Sequence, residues 1–373
     1  MAATTEDRAY SGLPNKAVSA ADGIDYAYRD TGGGDSGTLP LVLFQHFRGN
    51  LDSWDPALID ALAAGRRVIT FDYAGVGGST GTTASTMGEM AREAIAFIAA
   101  LELGQVDLLG FSIGSFVAQE VTLIRPAIAR RVVLASSAPQ GAAGMHGWAP
   151  EVIGAVGTPQ TSPEEYLNVF FARSDPSRQA GQAALKRMYA RNQDRDTATN
   201  WATRQAQYDA VCNWGVPNHA ALQRVSAIKH PVFVANGDSD TMILPHYSYL
   251  LAGLIPQAKV KIYPTPRTGS CSSTTPSSPP MSRPSSAHLA SPGSFACPDP
   301  AQSKSQGAGQ QRSDPSRGLI DEHFLRLAIP RQAPPNVRRT TILIHAARPG
   351  RLDETAPNGG SVRGQVTTGS HFP

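Results

Sequence analysis

Cysteine is scarce in this 373-residue chain: it has only Cys212, Cys271 and Cys297, and no two of them stand at metal-ligand spacing. That excludes a disulfide-dense scaffold and a cysteine-rich zinc module. Long apolar runs are also missing. No window approaches the ~18 uninterrupted apolar residues that a membrane-spanning helix requires. The first ten residues carry Glu6 and Asp7 where a secretory signal has its apolar core. A soluble cytoplasmic protein without a membrane partner is therefore expected. Charged residues are sparse at 17%, whereas 41% of the chain is apolar, enough for a sizeable core.

What is present is unevenly spread. Between Pro264 and Pro300 stand nine prolines and ten serines with hardly any aliphatic residues. Such a stretch lacks the apolar surface that offsets ordering entropy, and disorder is expected there. Residues 265–373 hold twelve of the 33 basic side chains and six of the 30 acidic ones, so the chain is mildly acidic upstream and basic downstream. The tail's arginines lie among Pro, Gly and Gln without interleaved aromatics or a basic helix face. A solvated tail is expected there, and no nucleic-acid partner.

From about residue 24 to residue 264, short β-branched runs alternate with helical stretches. Strands are predicted at 23–29, 39–47, 67–72, 106–111, 131–136, 231–237 and 259–263. Helices are predicted at 53–64, with Ser53 and Asp55 as cap candidates, and at 87–103, 113–124 and 245–254. This alternation argues for a mostly parallel sheet with helices on both faces. Residues 139–222 break the rhythm, with helical segments at 163–173 and 178–191 among loops, and read as an insertion over the sheet.

The chemistry centres on Gly110-Phe111-Ser112-Ile113-Gly114. A Gly-x-Ser-x-Gly match alone is weak, but this one follows a buried strand and opens a helix, which is the setting a nucleophile elbow requires. Glycines at 110 and 114 allow a tight turn and close packing of helix on strand. A serine hydroxyl becomes a good nucleophile only when a neighbouring imidazole takes its proton and a carboxylate holds that imidazole in one tautomer.

Several further segments match one family. Phe44-Gln45-His46-Phe47-Arg48-Gly49-Asn50, followed by Ser53-Trp54, resembles an oxyanion loop that usually reads His-Gly-Phe-Pro-Gly. Phe71-Asp72-Tyr73-Ala74-Gly75-Val76-Gly77-Gly78-Ser79 resembles an Asp-x-Arg-Gly-x-Gly-x-Ser segment, and Gly237-Asp238-Ser239-Asp240 resembles the segment bearing a catalytic acid. With the elbow, residues 15–264 thus resemble the α/β-hydrolase fold family, close to its serine esterase, perhydrolase and cofactor-free haloperoxidase branch. The resemblance implies a hydrolase domain over 15–264 with a helical lid over 139–222, whose Trp148, Tyr166, Phe170, Phe171, Trp201 and Trp214 shape an apolar acyl pocket or form the lid's own core. It implies Ser112 as nucleophile, Asp240 rather than Asp238 as acid, the N–H groups of Phe47 and Ile113 as oxyanion donors, no metal or organic cofactor, and a small acyl substrate.

The resemblance also implies a histidine a few residues after the last strand, where this chain has Thr268-Gly269. A threonine cannot take the Ser112 proton near neutral pH. Restoring one nucleotide after the Pro264 codon lets Thr265 to Ser282 be read as Asp-Ser-Ala-His-Gly-Phe followed by an amphipathic helix. A lost base upstream of residues 265–373 is the first explanation of the departure, and a genuinely divergent C-terminus is the alternative. Of the other histidines, His46 lies in the oxyanion loop but has no evident carboxylate to orient it. His246 reads as a surface residue at a helix start, His219 and His230 lie before the strand at 231–237, and His288, His323, His345 and His371 fall in the tail. Two readings follow: a serine hydrolase acting on small esters, or an inactive hydrolase-like protein that at most binds ligands.

Overall fold

The computed structural model describes residues 9–35, 37–145, 148–158 and 161–264. Thr268 and the rest of the 265–373 segment lie outside them. Eight strands form one sheet: β1 (Lys16–Ser19), β2 (Asp25–Asp30), β3 (Leu41–Phe44), β4 (Val68–Phe71), β5 (Val106–Phe111), β6 (Ala129–Ala135), β7 (Val232–Gly237) and β8 (Ala258–Tyr263). Their order is β1-β2-β4-β3-β5-β6-β7-β8. Only the pairings of β1 with β2 and of β2 with β4 are antiparallel; from β4 to β8 all neighbours run parallel. The expected mostly parallel sheet is therefore present.

Its centre is buried on both faces, and the alternation along each strand shows how. In β3, Val42 and Phe44 join one core while Leu41 and Leu43 join the other. Val132 and Leu134 of β6 likewise face the first core and Val133 the second, as side chains two apart share a face. Helices α2 (Met87–Ala100), α3 (Ile113–Ile124) and α9 (Pro245–Leu254) supply the first core. Helix α1 (Pro56–Ala63) and the turn at Tyr10–Gly12 cover part of the second. Asp55 caps α1 by accepting the Ala57 N–H, and Thr86 caps α2 by accepting that of Glu89.

Between β6 and β7 the chain forms five helices: α4 (Pro150–Gly157), α5 (Pro163–Phe170), α6 (Asp175–Met188), α7 (Trp201–Trp214) and α8 (His219–Arg224). This is more helix than the two segments the sequence predicts. The 53–64 helix is also shorter than expected, because Leu51–Ser53 closes a tight turn through the Asn50 and Ser53 side chains before Asp55 starts α1. Strand β1 lies outside the predicted set. It is an edge strand with mostly exposed side chains, so it carries no apolar alternation to read. Helices α5 and α6 pack on each other through Leu167, Phe171, Ala184, Leu185 and Met188, a small core separate from both sheet cores.

Candidate active site

Three loops at the C-terminal ends of parallel strands meet here. The first follows β5. Ser112 has φ 55° and ψ −123°, a region that L-residues adopt only when the surroundings enforce it, at a strain of about 1–3 kcal/mol. Its N–H donates to Ala135 O on β6 at 2.9 Å, and its carbonyl accepts from Ser115 N at 2.8 Å and Ser115 Oγ at 2.5 Å. The flanking glycines are steric necessities. A Cβ on Gly110 would lie 2.2 Å from Gly114 O, and one on Gly114 would lie 2.1 Å from Phe44 O. Helix α3 can thus start directly beneath the end of β3. Its first residue, Ile113, has an N–H with no acceptor in the preceding turn.

The second loop follows β3. Gln45 organises it, accepting the His46 N–H at 2.8 Å and donating to Asn50 O at 3.1 Å. Gly49 leaves room for that side chain, since a Cβ there would lie 2.4 Å from Gln45 Cγ. The Arg48 N–H donates to Gln207 Oε1 of α7 at 2.7 Å. The amides on either side of Phe47 are therefore engaged, and Phe47 and Ser112 both line one cavity.

The third loop follows β7. Asp240 is buried, and its Oδ1 accepts from Met242 N at 2.9 Å and Ile243 N at 2.8 Å. The Ser136 hydroxyl at the end of β6, which bonds Asn236 Oδ1 at 3.1 Å, also favours the ionised carboxylate. Burial nevertheless pushes the carboxyl up to about 6, against these hydrogen bonds, which favour its ionised form. Asp238 is exposed, with its N–H on Tyr263 O and its carboxylate on the Ser239 hydroxyl. The sequence's preference for Asp240 over Asp238 therefore coincides with which of the two is buried.

A cavity of about 400 Å³ opens over Ser112. Its wall includes Val156 of α4, Tyr166, Val169 and Phe170 of α5, Leu185 and Met188 of α6, and Met242. Its other end is polar, with Arg48, Asn50, Asp52, Arg195 and Asp196. Of the six aromatics expected to shape an acyl pocket, only Tyr166 and Phe170 line it. Phe171 fills the α5–α6 core, Trp148 packs edge-on to Phe47, Trp214 stacks on Phe116 of α3, and Trp201 is half-exposed under the Arg204 guanidinium. Aromatic identity marks large buried area, not the layer in which it is buried.

Two features of the arrangement are not visible in the sequence, although its motifs include Asp72 and place His46 in the oxyanion loop. Asp196, on the loop after α6, and Asp72, after β4, face each other, both accepting the Leu51 N–H, at 3.1 and 2.9 Å. Burial, and then the Asp196 charge, raise the Asp72 carboxyl well above the usual carboxylate range. The second feature is His46. Among the described residues the histidines are His46, His219, His230 and His246, and of these His46 alone lines the cavity. Burial lowers its imidazole to about 4.

Comparison with known proteins agrees with this fold. A family model described as alpha/beta hydrolase fold matches residues 40–267, stopping three residues past Pro264. Among solved structures, an alpha/beta hydrolase fold protein from Chitinophaga pinensis is 37% identical with a TM-score of 0.63, covering 69% of this chain and 90% of that one. An enol-lactonase from Burkholderia xenovorans shares the fold at 18% identity, with a TM-score of 0.52 over 67% of this chain and 90% of that one. A Mycobacterium tuberculosis protein that carries a non-heme bromoperoxidase name is 35% identical over 112 residues, 30% of this chain and 41% of that protein. The chain spans about two fifths or less of the length of the curated relatives it matches.

Proposed function

The chain belongs to the α/β-hydrolase fold family, and on that premise we propose that its site is built to hydrolyse small esters or related acyl compounds through Ser112. The observation that carries this reading is the strained Ser112 backbone at the mouth of α3, beneath a cavity that Phe47 also lines. In this reading the Ser112 oxygen attacks the acyl carbonyl, and the Phe47 and Ile113 N–H groups stabilise the oxyanion that forms. Asp240 holds in one tautomer the imidazole that takes the Ser112 proton and stabilises the imidazolium that forms, and residues 139–222 act as the lid whose Tyr166 and Phe170 contact the acyl chain.

The base is the open element of this scheme. The family histidine position falls on Thr268, and we propose that a lost nucleotide after the Pro264 codon removed it. A second reading, an inactive protein that binds acyl compounds, draws support from Asp240 itself. Its carboxyl is pushed up to about 6 by burial, with no cation facing it among the described residues.

One comparison tests both readings. The chain as given, the chain with its frame restored, and Ser112→Ala in each are assayed on a short p-nitrophenyl ester. Turnover of the restored chain that Ser112→Ala abolishes supports the serine mechanism. Equal turnover by the given and restored chains would sink the missing-base argument, and turnover that survives Ser112→Ala would sink the elbow.

A further inference from the structure

His46 stands at the place where the oxyanion loop usually has glycine, so its side chain is an addition to the site. Its Nδ1 lies 2.9 Å from Phe47 O. A carbonyl oxygen only accepts, so Nδ1 carries the hydrogen and the neutral ring presents a lone pair at Nε2. The ring is 93% buried, wedged edge-to-face against Phe111 at 5.4 Å and tilted against Phe170 at 5.1 Å. Nε2 has no hydrogen-bond partner. Buried acceptors in folded proteins are nearly always paired, and one left unpaired in a cavity wall, covered by the Phe170 ring, invites a donor from outside the chain when that ring moves aside.

We infer that His46 Nε2 is the acceptor subsite for an uncharged hydrogen-bond donor, a hydroxyl or amide N–H, carried by the substrate close to the carbonyl under attack. This rests on the acyl-transfer reading for where the carbonyl sits. The position of the donor follows from the chain: His46 directly precedes Phe47, an oxyanion donor in that reading, and packs on Phe111, which directly precedes Ser112. Burial of the ring makes bringing a charged donor to Nε2 costly, which favours a neutral one. Burial holds the imidazole neutral at ordinary pH, so the acceptor is always present. Phe170, which closes over the ring, belongs to α5, and α5 packs on α6 through a core of its own. Its side chain can withdraw without disturbing the sheet.

The test uses binding, so it does not depend on turnover. Calorimetry measures the affinity of the full chain for methyl pentyl ketone and for its α-hydroxy derivative. Wild type is expected to bind the hydroxy ketone about tenfold more tightly, the usual discrimination of one good hydrogen bond. His46→Phe, which keeps the aromatic contacts and removes the acceptor, is expected to bind both equally, and His46→Gln to keep a preference of a few fold. Equal affinities in wild type, or a preference that survives His46→Phe, would overturn the subsite. Nitrogen NMR of labelled histidine gives a readout without substitution: the Nε2 resonance should move with the hydroxy ketone and not with the plain one. An Nε2 signal that is already that of a hydrogen-bonded nitrogen in free protein would also overturn it, because Ser112 or a water would then be the partner. Absence of Ser112-dependent esterase activity would count against the catalytic reading alone.

Discussion

The floor and the roof of the cavity are built on different principles. The floor consists of strand ends and the start of α3, held by backbone contacts so close that a single methyl group on Gly114 would lie 2.1 Å from Phe44 O. The roof, α5 and α6, rests on five buried side chains of its own and meets α1 through a partly exposed ion pair, Arg187 with Asp55. Covalent geometry and backbone hydrogen bonds leave Ser112 almost no freedom, whereas the cavity wall above it packs on a small core of its own. In the acyl-transfer reading, the position of the reacting atoms and the choice of substrate thus fall to different parts of the molecule. The comparison can be broken at either end.

The largest effect is expected in the floor. In Gly114→Ala the new Cβ meets Phe44 O at 2.1 Å, Phe44 C at 2.5 Å and Gln45 O at 2.7 Å. All are backbone atoms and none can rotate away, so the helix must lift from the sheet. A loss of more than about 4 kcal/mol, or failure to recover folded protein, is expected by chemical denaturation. The counterpart above the floor is Gly154→Ala within α4, where an added Cβ meets nothing within 4 Å. That change should leave stability unaltered or raise it by up to about 1 kcal/mol. Similar losses at both sites would refute the contrast.

Asp240 gives the next largest effect, through pH. Its folded carboxyl is raised from 3.8 to about 6. The native state therefore binds more proton than the unfolded chain between those values. The stability this group contributes is complete below 3.8 and falls as pH rises through about 6, by about 3 kcal/mol in all. Asp240→Asn keeps the acceptor for Met242 and Ile243 N–H and removes the titration. Relative to wild type, the variant should gain about 3 kcal/mol between pH 4 and pH 7 in urea melts. In the frame-restored chain an imidazolium beside Asp240 would erase much of that gain, so the slope also reports whether a base has arrived.

How far the sequence reveals the site follows the same division. The bounds of β5, α3 and α9 are read correctly because glycine and proline punctuate them: Gly110 and Gly114 around the elbow, Pro245 at the first position of α9. Asp240 is singled out over Asp238 by the family's Gly-x-x-Asp pattern, and it is the buried one of the two. The roof is not legible in this way. Helix α7 begins at the Asn200 cap, but its buried positions mix Thr203, Arg204 and Gln207 with Ala210 and Val211, so no apolar stripe announces it. Trp148 and Trp214 look like pocket residues and instead pack on the sheet side, and His46 reads only as a weak base until its ring is seen between Phe111 and Phe170. Partners far apart in sequence, such as Asp72 and Asp196, leave no local trace.

That carboxylate pair joins the loop after α6 to the floor and supplies a smaller effect. Asp72 is raised by burial and by the Asp196 charge, so its contribution is lost as pH rises through its folded value. The groups facing the pair are the Leu51, Gly78 and Thr197 N–H donors, while the Asp196 N–H is held by Asp52. Asp52 in turn pairs with Arg29, Arg191 and Arg195. Asp196→Asn removes the opposing charge and supplies an amide donor. It should raise stability at neutral and alkaline pH by about 1 kcal/mol, measured as a higher urea midpoint, and leave it nearly unchanged in acid. A lower midpoint at every pH would mean that the Asp196 charge, through its contacts with Leu51 and Thr197, holds the loop.

The smallest effect belongs to the ion pair that seats the roof on α1. Arg187 reaches Asp55 with two hydrogen bonds, 2.7 Å from Nε and 2.6 Å from a terminal nitrogen, but its side chain is 41% exposed and that of Asp55 24%. Solvent screens such a pair, so Arg187→Ala should cost less than about 1 kcal/mol of global stability, and the loss should shrink further in high salt. Local opening is a different quantity. Asp55 also caps α1 through the Ala57 N–H, so the arginine and not the aspartate is the side chain to remove. If the roof is the separable module, amide exchange in Leu167, Phe171 and Leu185 should accelerate in Arg187→Ala while Leu108 and Leu109 in β5 stay protected. Uniform acceleration across both groups would mean that roof and floor open together and that the module has no independent stability.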